Sequence, residues 1–344
     1  MMHMPEIRVG DKFIGPGHPT FFIAEVASAH EGNVEVAKKM IEVAKAANAD
    51  AVKFQIVDKD AHMVPYHETY PILQKLVFMP EQWRELRRYA QEQNIPFIAD
   101  AYDLPSCALI STLDVDAVKV HSADLTNPEL IEVTAQLHKP IFLGVGATTM
   151  DEMGNAIHLI RKYHNNIILM HGFQAFPTKL EDIHFHYVNT LKTAFNLPIG
   201  ILDHTEGETF MSKVIPLLTP FVGAQVIEKH FTLDRSLQGI DYESSVNPPT
   251  LKEIVENLRH IEVTLGSSTP PAVFSPAEQR YRDWMKKAIV AENDIPPGTI
   301  ITRAHLAFKR AGPGLRPMDV HQVLGKTAKE HIKQHQIITL HHVH

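Results

Sequence analysis

Two apolar segments of this chain end in ionisable residues whose types and spacing could do chemistry. Asp203 and His204 close the segment PIGILDH, and Glu228 and His230 stand two positions apart in AQVIEKHF. Side chains alternate along a β-strand, so Glu228 and His230 share one face of a predicted strand. Neutral imidazoles bind Mn²⁺, Zn²⁺, Fe or Ni, but two histidines do not complete a structural zinc site. The pair therefore favours an octahedral ion such as Mn²⁺, with open positions for water and for a carbonyl oxygen that the ion polarises.

The ends of the other predicted strands carry polar residues as well. In chain order these residues are Glu25, Lys53, Gln55, Asp100, Asp103, Lys119, Ser122 and His171. Buried charges are unfavourable unless they pair with each other or bind a ligand. Lys53 could pair with Glu25 or Glu228 in a purely structural network. Seven strand ends that carry such groups together favour the other interpretation, which is a functional site.

The elements that would position these residues alternate along the chain. Eight short β-like segments and intervening helical segments run from residue 21 to about 265. In NVEVAKKMIEVAKAAN, for example, Val36, Met40, Val43 and Ala44 have the spacing of one apolar helix face. Eight pairs of one β-like segment and one helical segment over ~245 residues predict a (β/α)₈ TIM barrel. The active site of such a barrel lies at the C-terminal ends of the strands. An open doubly wound sheet is the alternative, but AEVASAHEG lacks its Gly-rich phosphate loop.

The composition of the chain changes after the predicted barrel. A linker is indicated by the Pro- and Ser-rich stretch SSTPPAVFSPAEQ. Short β-like runs separated by a Pro-Gly turn follow, as in KAIVAENDIPPGTIITRAHLAFKRAG. We therefore predict a barrel domain over 1–266, a linker over 267–284 and a small β-rich domain over 285–344.

Composition and charge restrict the partners and the compartment. The net charge of −7 and the absence of a basic run argue against nucleic acid as a partner. No apolar stretch approaches the ~18 residues that a membrane span needs. Cys107 is the single cysteine and the N-terminus has no signal-peptide pattern, so we expect a cytoplasmic protein.

Six segments, in the right order and spacing, resemble the sialic acid synthase family. They are IAEVASAHEG, ADAVKFQ, AVKVHSAD, GILDHT, VIEKHFTLDR and AIVAENDIPPGTIITRAHLAFKRAG. The resemblance runs from about residue 10 to 340. The family includes N-acetylneuraminate, legionaminate and pseudaminate synthases and a spore coat polysaccharide biosynthesis protein. The last segment is similar to the family's SAF domain, an antifreeze-like, β-clip fold.

The resemblance implies a reaction and a set of site residues. Phosphoenolpyruvate would condense with the aldehyde form of an N-acyl amino sugar, giving a nonulosonic acid and phosphate for surface polysaccharide. A divalent metal, Mn²⁺ ahead of Mg²⁺ or Co²⁺, would be held by His204 and His230. The catalytic residues implied are Glu25, Lys53, Glu228 and His230, and the substrate-binding residues are Gln55, Lys119, Ser122, Gln174, Asp203, Asp241 and Arg310. Arg310 matches an SAF-domain arginine that reaches the partner subunit's site, which implies a domain-swapped homodimer.

The chain departs from the family pattern at several positions of the implied phosphate and sugar sites. Asp100 stands where the family has threonine, Leu202 where it has serine, and Gln174 where it has asparagine. Phe176 replaces a tyrosine. A carboxylate beside a phosphate is repulsive unless it is protonated, metal-bridged or turned away. Two alternatives therefore stay open: a related barrel lyase or transferase with another donor, and a non-catalytic carbohydrate-binding relative.

Overall fold

The computed structural model describes residues 4–266 and 273–344. The chain divides into two compact units, Met1–Gly266 and Ser267–His344. Residues 267–272 of the predicted linker lie outside the described residues, and its later part forms a helix. Within the described ranges no helix is long and apolar enough to cross a membrane.

Unit 1 is a closed barrel of eight parallel strands preceded by a short antiparallel hairpin. The hairpin strands are β1 (Ile7–Val9) and β2 (Lys12–Ile14). The barrel strands are β3 (Phe21–Ala27), β4 (Ala51–Ile56), β5 (Phe97–Ala101), β6 (Ala117–Val120), β7 (Ile141–Gly144), β8 (Ile167–His171), β9 (Ile199–Asp203) and β10 (Val226–His230). Each strand pairs with its sequence neighbours, and β10 closes the barrel on β3. The predicted TIM barrel is confirmed, and the open sheet is excluded.

Helices follow the strands and cover the outside of the barrel. They are α1 (Val34–Ala46), α2 (Lys59–His62), α3 (Tyr70–Leu76), α4 (Pro80–Glu92), α5 (Leu104–Leu113), α6 (Pro128–Gln136), α7 (Met150–Arg161), α8 (Tyr187–Phe195), α9 (Phe210–Leu217) and α10 (Pro248–Leu265). The first turn of α1 is capped by Asn33, whose side chain accepts hydrogen bonds from two backbone amides. Because helices cover one face and the barrel interior the other, strands such as FFIAEVA are buried along their whole length.

The interior of the barrel is apolar at its N-terminal end. Phe21, Phe142 and Ile168 form part of a buried cluster there, and Ile7 and Ile14 of the hairpin pack into the same cluster. The hairpin therefore closes this end with apolar side chains. The polar side chains inside the barrel lie at the C-terminal ends of the strands, where TIM-barrel active sites are found.

Unit 2 has its own fold and its own core. Its elements are the helix α11 (Pro276–Met285) and the antiparallel strands β11 (Ala288–Ala291) and β12 (Leu306–Lys309). Isolated bridges extend the pairing, for example between Val290 and Ile337. Buried Ile289 and Ile332 belong to a core cluster that contains only residues of this unit. The small β-rich region matches the fold predicted for the end of the chain.

Candidate active site

A cavity of about 220 Å³ opens among the C-terminal ends of the barrel strands. It is lined by eight of the residues named from the sequence, namely Glu25, Gln55, Lys119, Gln174, His204, Glu228, His230 and Asp241. Leu202 and Phe176, two of the departures from the family pattern, line it as well. The alternation of side chains along a strand accounts for part of this lining, since Glu228 and His230 face the same side of β10.

Five buried ionisable side chains from five strands meet beside this cavity. Lys53 Nζ lies 2.7 Å from Glu25 Oε2, 3.3 Å from Asp100 Oδ2 and 3.4 Å from Glu228 Oε1. Lys119 Nζ lies 2.8 Å from Glu228 Oε1 and 3.7 Å from Asp100 Oδ2. None of the five is more than 3% exposed. The network that was the structural alternative for Lys53 therefore exists, and it shares Glu25, Glu228 and Lys119 with the cavity.

The two glutamates of this cluster differ in protonation. Burial raises the pKa of Glu25 to about 8, although Lys53 opposes the change. Burial acts on Glu228 in the same direction, but Lys119 and Lys53 together lower its pKa to about 2. At neutral pH Glu25 therefore carries a proton and Glu228 is ionised. Two carboxyl groups whose pKa values are pushed apart are the arrangement from which acid and base roles arise.

Histidines 204 and 230 form a second group in the same cavity. Their ring centroids are 5.2 Å apart, and the Phe176 ring lies 4.3 Å from the ring of His204. Burial lowers the pKa of His204 to about 4 and that of His230 well below its usual value, so both rings are neutral. His204 Nδ1 donates to the carbonyl oxygen of Phe173 at 3.2 Å, which leaves Nε2 free as a ligand.

This histidine pair fits a divalent ion that has open coordination positions. His230 Nδ1 is buried and has no hydrogen-bond partner among the described residues. An orphaned buried nitrogen requires an explanation, and a metal ion or a substrate group would supply one. Within 4–266 and 273–344 no three His, Cys, Asp or Glu side chains are grouped to hold a metal. The remaining ligands of such an ion would therefore be water and substrate oxygens.

The side of the cavity formed by Gln174 and Asp241 offers groups for hydroxyl recognition. Gln174 Nε2 is buried without a partner in the part of the chain that the structure describes. The backbone of Asp241 is left-handed (φ 63°), and burial raises the pKa of its carboxyl group. Amide and carboxyl groups aimed into a small cavity suit a polyhydroxylated ligand.

Four of the implied catalytic and substrate-binding residues do not line the cavity. Lys53 is buried beside it, and Ser122 begins a short 3₁₀ helix. Asp203 points to the other face of β9 and pairs with Lys229. Arg310 is an exposed residue of unit 2, directly after β12. Of the other strand-end residues, Asp103 caps α5, where it accepts a hydrogen bond from Ser106 N.

The structure adds two aromatic residues that the sequence analysis did not single out. Tyr102 and His121 line the cavity, with their rings stacked at 5.4 Å between centroids. Burial raises the pKa of Tyr102 and lowers that of His121. Both lie two positions beyond a strand-end residue already named, Asp100 and Lys119. Side chains on one face of a strand recur at every second residue. Continuing this count by two residues past each strand end would have identified them.

Glu25→Gln should remove a downward contribution to the pH dependence of stability between pH 6.5 and 8. The folded pKa of Glu25, about 8, lies above the value of 4.5 for a free carboxyl group. The folded state therefore holds a proton that the unfolded state lacks, and stability falls as pH rises between these values. Buried histidines with lowered pKa values act in the opposite sense up to about pH 7.5, so the contribution of Glu25 is the difference between the parent protein and the variant at each pH.

We expect the free energy of unfolding of the parent protein, taken relative to that of Glu25→Gln, to fall by about 2 kcal/mol from pH 6.5 to 8. The measurement is urea denaturation with chelator present. The same pH dependence in the parent protein and the variant would show that Glu25 does not hold the proton. Glu85→Gln, a change in a partly exposed ion pair with Lys38, is the control and should keep the pH dependence of the parent protein.

Together, fold and site define a (β/α)₈-barrel protein with an acid–base cavity and a small β-rich C-terminal unit. The NeuB family model matches residues 40–270, and the SAF domain model matches residues 286–344. The chain belongs to the NeuB family. The resemblance seen in the sequence is thereby confirmed.

Named relatives align along nearly the whole chain. The N,N'-diacetyllegionaminic acid synthase of Campylobacter jejuni is 32% identical over 93% of this chain and 98% of that protein. The human N-acetylneuraminate-9-phosphate synthase is 32% identical over 92% of this chain and 90% of that protein. The crystal structure of N-acetylneuraminic acid synthetase from Leptospira borgpetersenii superposes with a TM-score of 0.74 at 32% identity, covering 82% of this chain and 98% of that chain.

Proposed function

We propose that this protein condenses phosphoenolpyruvate with the aldehyde form of an N-acyl amino sugar, giving a nonulosonic acid and phosphate. One observation carries the proposal: a protonated Glu25, an ionised Glu228 and two neutral histidines face one cavity at the C-terminal end of the barrel. The names of the relatives support the class of product. The buried single cysteine, Cys107, fits a reducing compartment, and we place the reaction in the cytoplasm.

The residues of the cavity have distinct roles in this reaction. Carbon 3 of phosphoenolpyruvate attacks the aldehyde carbon, water adds at carbon 2, and phosphate leaves. Lys119 binds the donor's anionic groups, and Lys53 holds the carboxylates in place. Glu228 accepts the proton of the water, and Glu25 donates a proton to the oxygen of the former aldehyde. Gln55, Gln174 and Asp241 bind sugar hydroxyls.

His204 and His230 would hold a divalent ion, Mn²⁺ ahead of Mg²⁺ or Co²⁺. When bound, such an ion supplies Lewis acidity for the aldehyde oxygen. The neutral state of both rings supports this role, since a protonated imidazole cannot be a ligand.

The test is Mn²⁺-dependent phosphate release from phosphoenolpyruvate across a panel of N-acyl amino sugars. The panel includes N-acetylmannosamine and the diacetylated 6-deoxyhexoses. We expect release with one sugar, and loss of release with chelator. Absence of release with every sugar, while Mn²⁺ still binds, would contradict phosphoenolpyruvate as the donor.

A second candidate function is a related condensation with a different, less charged donor. The observation that favours it is Asp100, whose Oδ2 lies 3.3 Å from Lys53 Nζ. Its Oδ1 has no hydrogen-bond partner among the described residues. This carboxylate and Glu228 offset the two lysine charges that a donor phosphate would otherwise use. The apolar side chain of Leu202 in the cavity wall adds no donor for a phosphate oxygen.

Asp100→Thr should lower the KM for phosphoenolpyruvate about tenfold, because removing the carboxylate frees lysine charge worth about 1.4 kcal/mol. Steady-state kinetics with saturating sugar measure the change. Asp100→Asn, which keeps the shape and removes the charge, should give a change of the same sign. An unchanged KM in both variants would show that Asp100 does not oppose the donor.

In a swapped homodimer, Arg310 would reach the partner subunit's site. Arg310→Ala should then raise the KM for the sugar about tenfold and leave the KM for phosphoenolpyruvate unchanged. Arg310 is exposed and has no hydrogen bond within 4–266 and 273–344, so its guanidinium is available. Lys329→Ala removes an exposed charge of the same unit and is the control. Sedimentation analysis tests the dimer; a monomer of full activity would contradict the swapped arrangement.

A further inference from the structure

Strands β9 and β10, at whose C-terminal ends the two histidines lie, are joined by a buried ion pair that the proposed reaction does not use. Asp203 Oδ2 lies 2.9 Å from Lys229 Nζ, and neither side chain is exposed to any extent. The two residues are register partners on β9 and β10. His204 directly follows Asp203, and His230 directly follows Lys229. The pair therefore lies next to both histidines in the chain but on the opposite face of the strands.

The carboxylate of Asp203 also fixes the backbone around His204. Asp203 Oδ1 accepts hydrogen bonds from Thr205 N at 2.9 Å and from Thr205 Oγ1 at 2.6 Å. A bond from an aspartate to the amide two residues later closes an Asx turn, and the residue inside this turn is His204. The position of the His204 backbone is thus set by one carboxylate.

Lys229 links this turn to the neighbouring strand. Besides its ion pair, Lys229 Nζ donates to Thr205 Oγ1 at 3.2 Å and to Thr205 O at 3.4 Å. Three contacts from one ammonium group thus hold the residues on either side of His204. Because Lys229 precedes His230, any displacement of the Asx turn moves one histidine relative to the other.

General stability is a poor explanation for the pair. Apolar residues of similar volume usually serve a buried position as well as an ion pair, or better. Groups behind metal ligands, in contrast, commonly change metal affinity 10- to 100-fold when they are removed. The pair lies next to both histidines and does not line the cavity, which matches the role of a group behind metal ligands.

We infer that Asp203 and Lys229 are positioning residues that set the spacing of His204 and His230 and thereby the affinity of the protein for a divalent cation. This inference rests on the metal pair of the proposed function. It replaces the substrate contact that the sequence suggested for Asp203.

The experiment is a titration of the full-length protein with Mn²⁺ alone, with free Mn²⁺ measured by electron paramagnetic resonance. The variants are His230→Ala and the double variant Asp203→Asn with Lys229→Met, which removes both charges and keeps an oxygen for the Asx turn. We expect the Mn²⁺ Kd of the folded double variant to rise about tenfold or more. The wild-type Kd in that variant would overturn the inference.

The matched control lies at the other end of the barrel. Asp50 bonds Lys12 Nζ at 2.5 Å and Phe22 N at 2.7 Å, and it also pairs with Arg259. Asp50→Asn removes a comparably buried carboxylate far from the histidines, and its Mn²⁺ Kd should equal that of the wild type. If Asp50→Asn weakens Mn²⁺ binding as much as the double variant does, the effect is general destabilisation and the inference is wrong.

A further variant separates failure to fold from failure of the inference. Thr205→Val keeps the shape of the side chain and the ion pair, but it removes the hydroxyl that bridges Asp203 and Lys229. Circular dichroism establishes that each variant is folded. If the double variant does not fold, a higher Kd in Thr205→Val supports the inference and an unchanged Kd overturns it. If wild type and His230→Ala bind Mn²⁺ equally, the proposed metal pair itself fails.

Discussion

His230→Ala is expected to reduce kcat about a thousandfold and to abolish the response of turnover to Mn²⁺. Loss of Lewis-acid activation of a carbonyl removes several kcal/mol of transition-state stabilisation, and ~4 kcal/mol corresponds to this factor. The fold should persist, because His230 Nδ1 has no hydrogen-bond partner among the described residues that the change would leave unpaired. The measurements are phosphate release with Mn²⁺ or with chelator, and far-ultraviolet circular dichroism.

His121→Ala is the control for this prediction. His121 lines the same cavity as His204 and His230, but its ring stacks on Tyr102 and not on either of these histidines. We expect this variant to bind Mn²⁺ with wild-type affinity, whatever its effect on substrate binding. Full activity in folded His230→Ala would remove His230 from the proposed metal site. Equal loss of Mn²⁺ in both variants would show that the whole cavity had collapsed.

Lys53→Met is expected to lower the free energy of unfolding by about 3–5 kcal/mol, the range for removing one partner from a buried charge network. Lys53 contacts three carboxyl groups, of Glu25, Asp100 and Glu228. Methionine has a similar length, so the loss is electrostatic rather than a cavity. Asp100 and Glu228 would then share the single charge of Lys119. Urea denaturation at pH 7 with chelator measures the change.

The matched control for Lys53→Met is Lys213→Met. Lys213 Nζ lies 2.7 Å from Glu253 Oε2, but both side chains are at least a third exposed. Solvent screens such pairs, so this variant should be close to the wild type in stability. Equal stability of the Lys53 and Lys213 variants would contradict the charge network as a buried unit. It would also weaken the assignment of a proton to Glu25.

The buried network shows why the sequence supported two interpretations of the same residues. A purely structural network around Lys53 and a site at the strand ends were considered as alternatives. The structure contains both, because Glu25 and Glu228 pair with Lys53 and also line the cavity. A residue's type and strand position do not reveal which other groups surround its charge.

The barrel and the residues at the ends of its strands were predictable from the amino-acid sequence. Segments with helical and strand hydrophobic periodicity alternate along the chain. They predict a (β/α)₈ fold because each segment has an apolar face that it must bury. Alternation along β10 then brings Glu228 and His230 to the same cavity, as predicted. The same alternation, applied to β9, places His204 in the cavity and turns Asp203 away from it.

The protonation states, the charge partners and the position of Asp203 beside Lys229 could be read only from the folded chain. The proton on Glu25 depends on burial and on Lys53 and Glu228, which come from the two strands that flank β3 in the closed barrel. The tie between Asp203 and Lys229 depends on the register of β9 against β10, which no local pattern specifies. Electrostatic energies depend on distance and burial in space, so they are defined only once the barrel has closed.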